Sequence, residues 1–240
     1  MGWAGMVGAL VLASFTSMVG PATAQTPPPA QQVPISSWVQ PGSGNLDGLG
    51  AFVYVAPPAP GATQGSPGGY EYHLRFDLED RSLGILVLGH KDGQRVAGFV
   101  IVPHTLTVTA PAPFQWNYGQ IYYLLTYRLS ATEWGAWIYD WSAASWSLIG
   151  VQTVPATAGR MLPTSNTSVQ YEGNPTPAAA DTSTCAFYPR IDAFFYAPMG
   201  WRGEAITNAT LLNNSTSAGA CPTTTKTSDG WQWYTLGSSA

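Results

Sequence analysis

From Ala51 to Leu236 the chain is cut into short runs of alternating apolar and polar residues with turn residues between them, and no segment carries a helical period. Runs of this kind have one apolar side only as extended strands, because successive side chains of a strand point to opposite faces. Strands are read at Ala51 to Val55, Tyr70 to Phe76, Gly84 to His90, Arg95 to Val102, Ile121 to Leu129, Trp134 to Trp141, Trp146 to Val154, Thr167 to Glu172, Arg190 to Tyr196, Glu204 to Leu212 and Trp231 to Leu236, about eleven in all. Most of the 26 glycines and 20 prolines fall between them, and Pro57 to Gly69 is a Pro/Gly loop. Lys91-Asp92-Gly93-Gln94 is the strongest hairpin signal, since Asp-Gly supplies the positive φ angles of a two-residue turn. Half-apolar sheets must cover one another, so the expected fold is all-β, a two-sheet antiparallel sandwich of jelly-roll type. A closed barrel is the alternative.

The N-terminal residues bear on compartment. An apolar stretch, Ala4 to Val19, precedes Pro21-Ala22-Thr23-Ala24, and the small residues Ala22 and Ala24 fit the cleavage rule for a secretory leader. Residues 1–24 are therefore expected to be a signal peptide, although the first basic residue is Arg75. A retained membrane anchor is the alternative, and the run is short for a full span. Residues 25–36, which include Pro27-Pro28-Pro29 and Pro34, read as an extended linker, and residues 37–240 as one domain starting near Ser37-Trp38-Val39. The localisation that follows is secreted, or in the periplasm or cell envelope. In such an oxidising compartment Cys185 and Cys221 are expected to form one disulfide, closing a loop of about 36 residues worth roughly 3–4 kcal/mol. No histidine follows Cys185, which weighs against a catalytic thiol.

Charged residues are only 9% of the chain and the formal net charge is −4. Nucleic-acid binding asks for clustered Lys and Arg, so nucleic acid is not an expected partner. Contact with a membrane is expected only through an uncleaved leader.

The segments Tyr122-Tyr123-Leu124-Leu125-Thr126-Tyr127, Trp134-Gly135-Ala136-Trp137-Ile138-Tyr139-Asp140 and Trp146-Ser147-Leu148-Ile149-Gly150 resemble strands of concanavalin-like, laminin-G-like jelly rolls. The stretch from Cys185 to Arg190, continuing to Met199-Gly200-Trp201-Arg202-Gly203, is similar to uncharacterised secreted bacterial proteins. The resemblance implies the sandwich fold and transfers no catalytic residue.

Aromatic residues are densest between Phe114 and Trp146. Trp137, Tyr139 and Trp141 share one face of their strand, and hairpin register decides what lies beside them. An even turn sets Tyr123, Leu125 and Tyr127 beside Trp134, Ala136 and Ile138 as core, with Tyr122, Leu124, Thr126 and Arg128 beside Trp137, Tyr139 and Trp141 outside. A three-residue turn swaps the partners and gathers nearly all the aromatics on one face. The even register separates apolar from polar better and is the expected one. Its outer face gives the candidate ligand-binding residues Tyr122, Arg128, Trp137, Tyr139 and Trp141. Flat rings beside hydrogen-bonding groups suit the C–H faces of sugars, which makes a polysaccharide or glycan the candidate partner. The competing reading is that the same rings fill the sandwich.

Motifs for chemistry are sparse. Asp77 and Glu79 stand two apart at a spacing compatible with a glycosidase pair, yet Asp77-Leu78-Glu79-Asp80-Arg81-Ser82 reads as a polar turn. A calcium site from these oxygens is a further alternative. Glu172 and Asp192 sit singly in strands. His73, His90 and His104 lack metal-ligand spacing, so no metal and no cofactor is expected. Phosphate-cradling, dinucleotide and nucleophile-elbow motifs are absent from the sequence. Four N-x-[ST] sequons occur, at Asn166, Asn208, Asn213 and Asn214. The leading expectation is an exported, non-catalytic β-sandwich that binds a carbohydrate or envelope polymer. The alternatives are a polysaccharide hydrolase or lyase, and a surface protein whose aromatics are structural.

Overall fold

A computed structural model describes residues 33–57, 69–91, 93–104, 112–172, 188, 190–217, 221 and 223–236. Their strands are, in chain order, β1 (Pro34–Val39), β2 (Gly48–Val55), β3 (Gly69–Leu78), β4 (Leu83–Lys91), β5 (Gln94–Val102), β6 (Ala112–Pro113), β7 (Ile121–Arg128) and β8 (Glu133–Asp140). They continue with β9 (Ser145–Thr153), β10 (Met161–Glu172), β11 (Ile191–Tyr196), β12 (Met199–Arg202), β13 (Ala205–Asn208), β14 (Thr210–Thr216), β15 (Thr224–Ser228) and β16 (Trp231–Leu236). One 3-10 turn, Ala156–Ala158, lies between β9 and β10. Among the described residues no helix is long and apolar enough to cross a membrane.

Two antiparallel sheets form a sandwich. One runs β14-β1-β10-β3-β4-β5-β6, and the other runs β15-β16-β11-β2-β7-β8-β9 with β12 and β13 attached beside β2. The core is the inward half of each alternation. Tyr72, Leu74, Phe76 and Leu86 from the first sheet meet Val53, Tyr122, Leu124, Trp134 and Ile138 from the second. Burying each such side chain contributes roughly 1.5–3 kcal/mol, which is why the alternation dictates the fold. A buried polar link also crosses the core: Trp38 Nε1 donates to Thr167 Oγ1 (2.9 Å), and the Tyr234 hydroxyl donates to the Thr167 carbonyl (3.1 Å).

Several expectations change. The first strand starts at Pro34, inside the segment read as linker, because Ser36 and Trp38 turn inward to Asn214 and Thr167. The run from Glu204 to Leu212 is two strands. Ala209 breaks it by donating its N–H to the Pro198 carbonyl, so β13 stays with β12 while β14 crosses to the edge of the other sheet. β12 and β15 are additional strands. The leader and Cys185 lie outside the described residues; Cys221 is buried and is not a free thiol.

The aromatic hairpin takes the register opposite to the expected one. Leu129 N–H donates to the Glu133 carbonyl, leaving the three-residue turn Ser130 to Thr132, and Ser130 Oγ accepts from Thr132 N–H inside it. Residues of the same parity therefore face each other, as Tyr122 with Asp140, Leu124 with Ile138 and Arg128 with Trp134. Apolar content alone favoured the other register; a partner for the Tyr122 hydroxyl overrides it. That hydroxyl accepts from Asn117 N–H at 2.7 Å, so Tyr122 can be buried completely.

Candidate ligand-binding face

Each strand of the nine-stranded sheet sends one half of its alternation outward, and on six neighbouring strands that half is aromatic. β9 supplies Trp146, β8 supplies Tyr139 at its end and Trp137, and Trp141 follows β8 directly. β7 supplies Tyr123 and Ile121, β2 supplies Phe52 and Tyr54, β11 supplies Phe194, and β16 supplies Trp231 and Trp233. The rings touch in sequence. Centroids lie 5.0 Å apart for Tyr139 and Trp146, 5.5 Å for Tyr139 and Trp141, 5.8 Å for Phe52 and Trp141, and 4.7 Å for Phe52 and Tyr123. Beyond them Tyr54 meets Phe194 at 5.4 Å, and Phe194 meets Trp233 at 4.1 Å.

Glycines let several of these rings lie down on the sheet. A Cβ on Gly135 would overlap the Trp137 indole, one on Gly50 the Tyr123 phenol, and one on Gly48 the Tyr127 ring. With no side chain beneath, each ring lies against backbone. The upper layer stays in water: Trp141 is 59% exposed, Trp146 52% and Trp233 43%. Contiguous exposed aromatic surface of this kind is uncommon on a monomer without a binding role. At the β16 side the band ends in a cavity of about 260 Å³ lined by Tyr54, Ile121, Phe194, Trp231 and Trp233. Polar groups flank it: Lys226 is the register partner of Trp233, and Asp192 accepts from Thr235 Oγ1 at 2.6 Å. At the other end Asp140 closes the turn after β8. Burial pushes its carboxyl up, but bonds from Ser142 Oγ and from the N–H groups of Ala143 and Ser142 outweigh this and hold it below the usual range.

Of the residues singled out from sequence, Trp137, Tyr139 and Trp141 share this face. Tyr122 is in the core, and Arg128 is half-buried on the same side as the core residue Trp134. The share of β2, β11 and β16 in this face was missed, although each was read as a strand. Their signal was present as aromatics two apart, Phe52 with Tyr54, Phe194 with Tyr196, and Trp231 with Trp233, since i and i+2 share a face.

The outward side of the seven-stranded sheet carries a different cluster. His73 Nε2 bonds Glu71 Oε2 at 3.0 Å, and Arg75 Nη2 donates to His73 Nδ1 at 2.7 Å and to Gln170 Oε1 at 3.3 Å. Because Arg75 must donate, Nδ1 is the acceptor and the proton sits on Nε2, giving a neutral imidazole. Burial lowers the His73 pKa to the same effect. Both ring nitrogens are thus engaged. Two acids of the Asp77–Asp80 stretch are also occupied: Glu79 holds Asn45 Nδ2 and Arg160 N–H, and Asp80 holds Ser82 and His104. Among the described residues no three His, Cys, Asp or Glu side chains converge as metal ligands would.

No family model matches the chain, and no curated protein matches it. Solved structures do. The chain is similar to scytalido-glutamic peptidase bound to a peptide-based transition-state analogue, with TM-score 0.53 and 9% identity over 87% of this chain and 99% of that one. It is similar to SCP-B, an Eqolisin-family peptidase in complex with the tripeptide Ala-Ile-His, with TM-score 0.50 and 10% identity over 87% and 99%. Lectin II from Ulex europaeus also matches, at TM-score 0.28 and 12% identity over 87% and 73%. At these identities the likeness is one of fold: a two-sheet β-sandwich.

Proposed function

We propose that this chain is an exported, non-catalytic binding protein that holds a carbohydrate or cell-envelope polymer across the aromatic face of its nine-stranded sheet. The observation that carries the reading is the band of outward aromatics across six neighbouring strands, with Trp146 and Trp141 exposed at one end and Trp233 at the other. Six neighbouring strands at about 4.8 Å spacing put its ends roughly 24 Å apart, a length suited to a polymer segment more than to a single small molecule. Ring faces take the C–H faces of sugars, while Lys226, Asp192 and Thr235 offer partners to hydroxyls. Residues 1–24 fit a leader for export, and a Cys185–Cys221 bridge fits both that route and the absence of a free thiol at Cys221. In this reading the Glu71–His73–Arg75–Gln170 chain is structural, its side chains serving as one another's hydrogen-bond partners.

Co-sedimentation with insoluble polysaccharides and purified envelope polymer tests the proposal. The wild-type protein is expected to pellet with at least one of them, and the Trp141→Ala/Trp146→Ala variant to stay in solution while remaining folded. Equal retention of that variant, or no retention of the wild type on any polymer, would overturn it.

A further inference from the structure

Over most of the aromatic face ring packs on ring, but at the β16 side the side chains leave the cavity of about 260 Å³. Its position follows from register. Ile121, Tyr54, Phe194 and Trp233 are successive cross-strand partners on β7, β2, β11 and β16, so their outward side chains form one lateral row. Trp231, two residues before Trp233 and on the same face, completes the lining. Phe194 and Trp233 lie 4.1 Å apart with their planes at 87°, and Tyr54 lies 5.4 Å from Phe194 at 48°. Two neighbouring walls of the cavity thus stand nearly at right angles. Ile121 and Trp233 are 37 and 43% exposed, so it opens to water. Among the described residues no polar atom lines it. The charges beside it have both signs. Lys226 is the partner of Trp233 across the β15–β16 ladder, and Asp192, two residues before Phe194, is held by Thr235 Oγ1 at 2.6 Å and Arg190 Nε at 3.5 Å.

We propose that this cavity is a binding site for one uncharged aromatic ring. Size sets the first limit: a closed apolar cavity of about 150 Å³ already holds one benzene ring. The space here therefore suits a ring with a small substituent. The lining sets the second limit. A sugar ring inside would leave its hydroxyls desolvated and without partners, which is costly. Aromatic cages can take cations, but this one has two cations beside it, Lys226 and Arg190, against the single carboxylate of Asp192. Ring geometry then separates aromatic from aliphatic guests. A flat guest stacked offset on one wall ring meets the perpendicular wall edge to face, and ring quadrupoles favour both arrangements. The ring enters free or as the substituent of a longer ligand, whose sugar hydroxyls would stay outside near Lys226 and Thr235. The site stands on its own walls and does not depend on a polymer lying across the rest of the face.

Titration of the isotope-labelled exported protein with phenol, cyclohexanol, phenyl glucoside and methyl glucoside decides it, read from the indole N–H resonances of Trp231 and Trp233. Phenol is expected to shift both resonances saturably and to bind about 2- to 10-fold more tightly than cyclohexanol, the gain an aromatic pair adds beyond burial. Methyl glucoside should leave both in place. Phenyl glucoside binding as tightly as phenol would show the ring accepted as a substituent of a sugar, and binding of phenol alone would show a free ring; both results uphold the site. Phe194→Ala should weaken phenol roughly tenfold or more by removing the perpendicular corner. Trp233→Ala, at a more exposed position, makes the same test at Trp231 should the first variant fail to fold. Leu148→Ala, on the far strand of the sheet, should leave phenol binding unchanged. Equal affinity for phenol and cyclohexanol, saturation of the two resonances by methyl glucoside, or wild-type phenol binding by Trp233→Ala would each overturn the proposal. Polysaccharide retention is measured separately, so failure of the polymer reading and failure of this site are told apart.

Discussion

Tyr123 and Tyr139 are directly opposed across the β7–β8 ladder, both on the solvent side. That one pairing fixes the hairpin's parity and sends Trp134 inward and Trp141 outward. Trp134→Ala should therefore cost about 3–5 kcal/mol, as expected of a fully buried Trp. Trp141→Ala and Trp146→Ala should each change stability by about 0.5 kcal/mol or less. Urea unfolding of the three variants checks this, and comparable losses at all three positions would contradict the register.

Gly135 and Trp137 form a unit in which the indole needs the missing side chain. The three nearest atoms to a Cβ at Gly135 all belong to the Trp137 ring, and none is backbone. Gly135→Ala should destabilise by about 1–3 kcal/mol through overpacking. In a Trp137→Ala background most of that penalty should vanish. A double-mutant cycle on unfolding free energies measures the coupling, and additive losses would mean the ring does not lie where described.

The alternation of Tyr70 to Phe76, Gly84 to His90 and Trp231 to Leu236 made the sandwich legible, because period two has one structural meaning. Hairpin register was less so. Counting apolar residues on each face could not reveal that Asn117 N–H would satisfy a buried Tyr122 hydroxyl, or that Ser130 would hold a three-residue turn. The binding face was half legible for a related reason. Trp137, Tyr139 and Trp141 are close in sequence, whereas Phe52, Phe194 and Trp233 reach them only through non-local pairing of β2, β11 and β16. The Glu71–His73–Arg75 chain alternates along one strand, but Gln170 joins it from β10, whose pairing with β3 no local pattern announces.

Tyr234 and Thr167 bind the two sheets through the core, and every polar atom of the link is buried. The Tyr234 hydroxyl donates to the Thr167 carbonyl, so the Thr167 hydroxyl donates back to the Tyr234 oxygen at 2.7 Å while accepting from Trp38. Tyr234→Phe should cost about 1–3 kcal/mol, since it strands the Thr167 hydroxyl without a place for water. Thr167→Val should cost a similar amount by orphaning the Trp38 N–H. Chemical denaturation reads both, and a neutral effect for each would remove the link from the account of stability.

Acid should weaken the fold through its buried histidines before its carboxylates. Burial lowers the pKa of His73, and burial with the nearby Arg95 charge lowers that of His90 to about 4. A histidine whose folded pKa lies below its unfolded value of about 6.5 takes up its proton first in the unfolded chain, so stability falls as pH drops through that value towards the folded pKa. Asp80 and Asp140, held below the usual carboxylate range, lose their contribution only further down, as pH falls through their lowered pKa values. His90 is partly exposed, so its share is about 1–2 kcal/mol after allowance for solvent screening. The unfolding midpoint should therefore drop between pH 6.5 and 4, and His90→Gln should flatten part of that slope. Thermal unfolding across this range tests it. A wild type whose midpoint is level down to pH 4, or a His90→Gln variant with the wild-type slope, would show that neither imidazole is kept neutral by the fold.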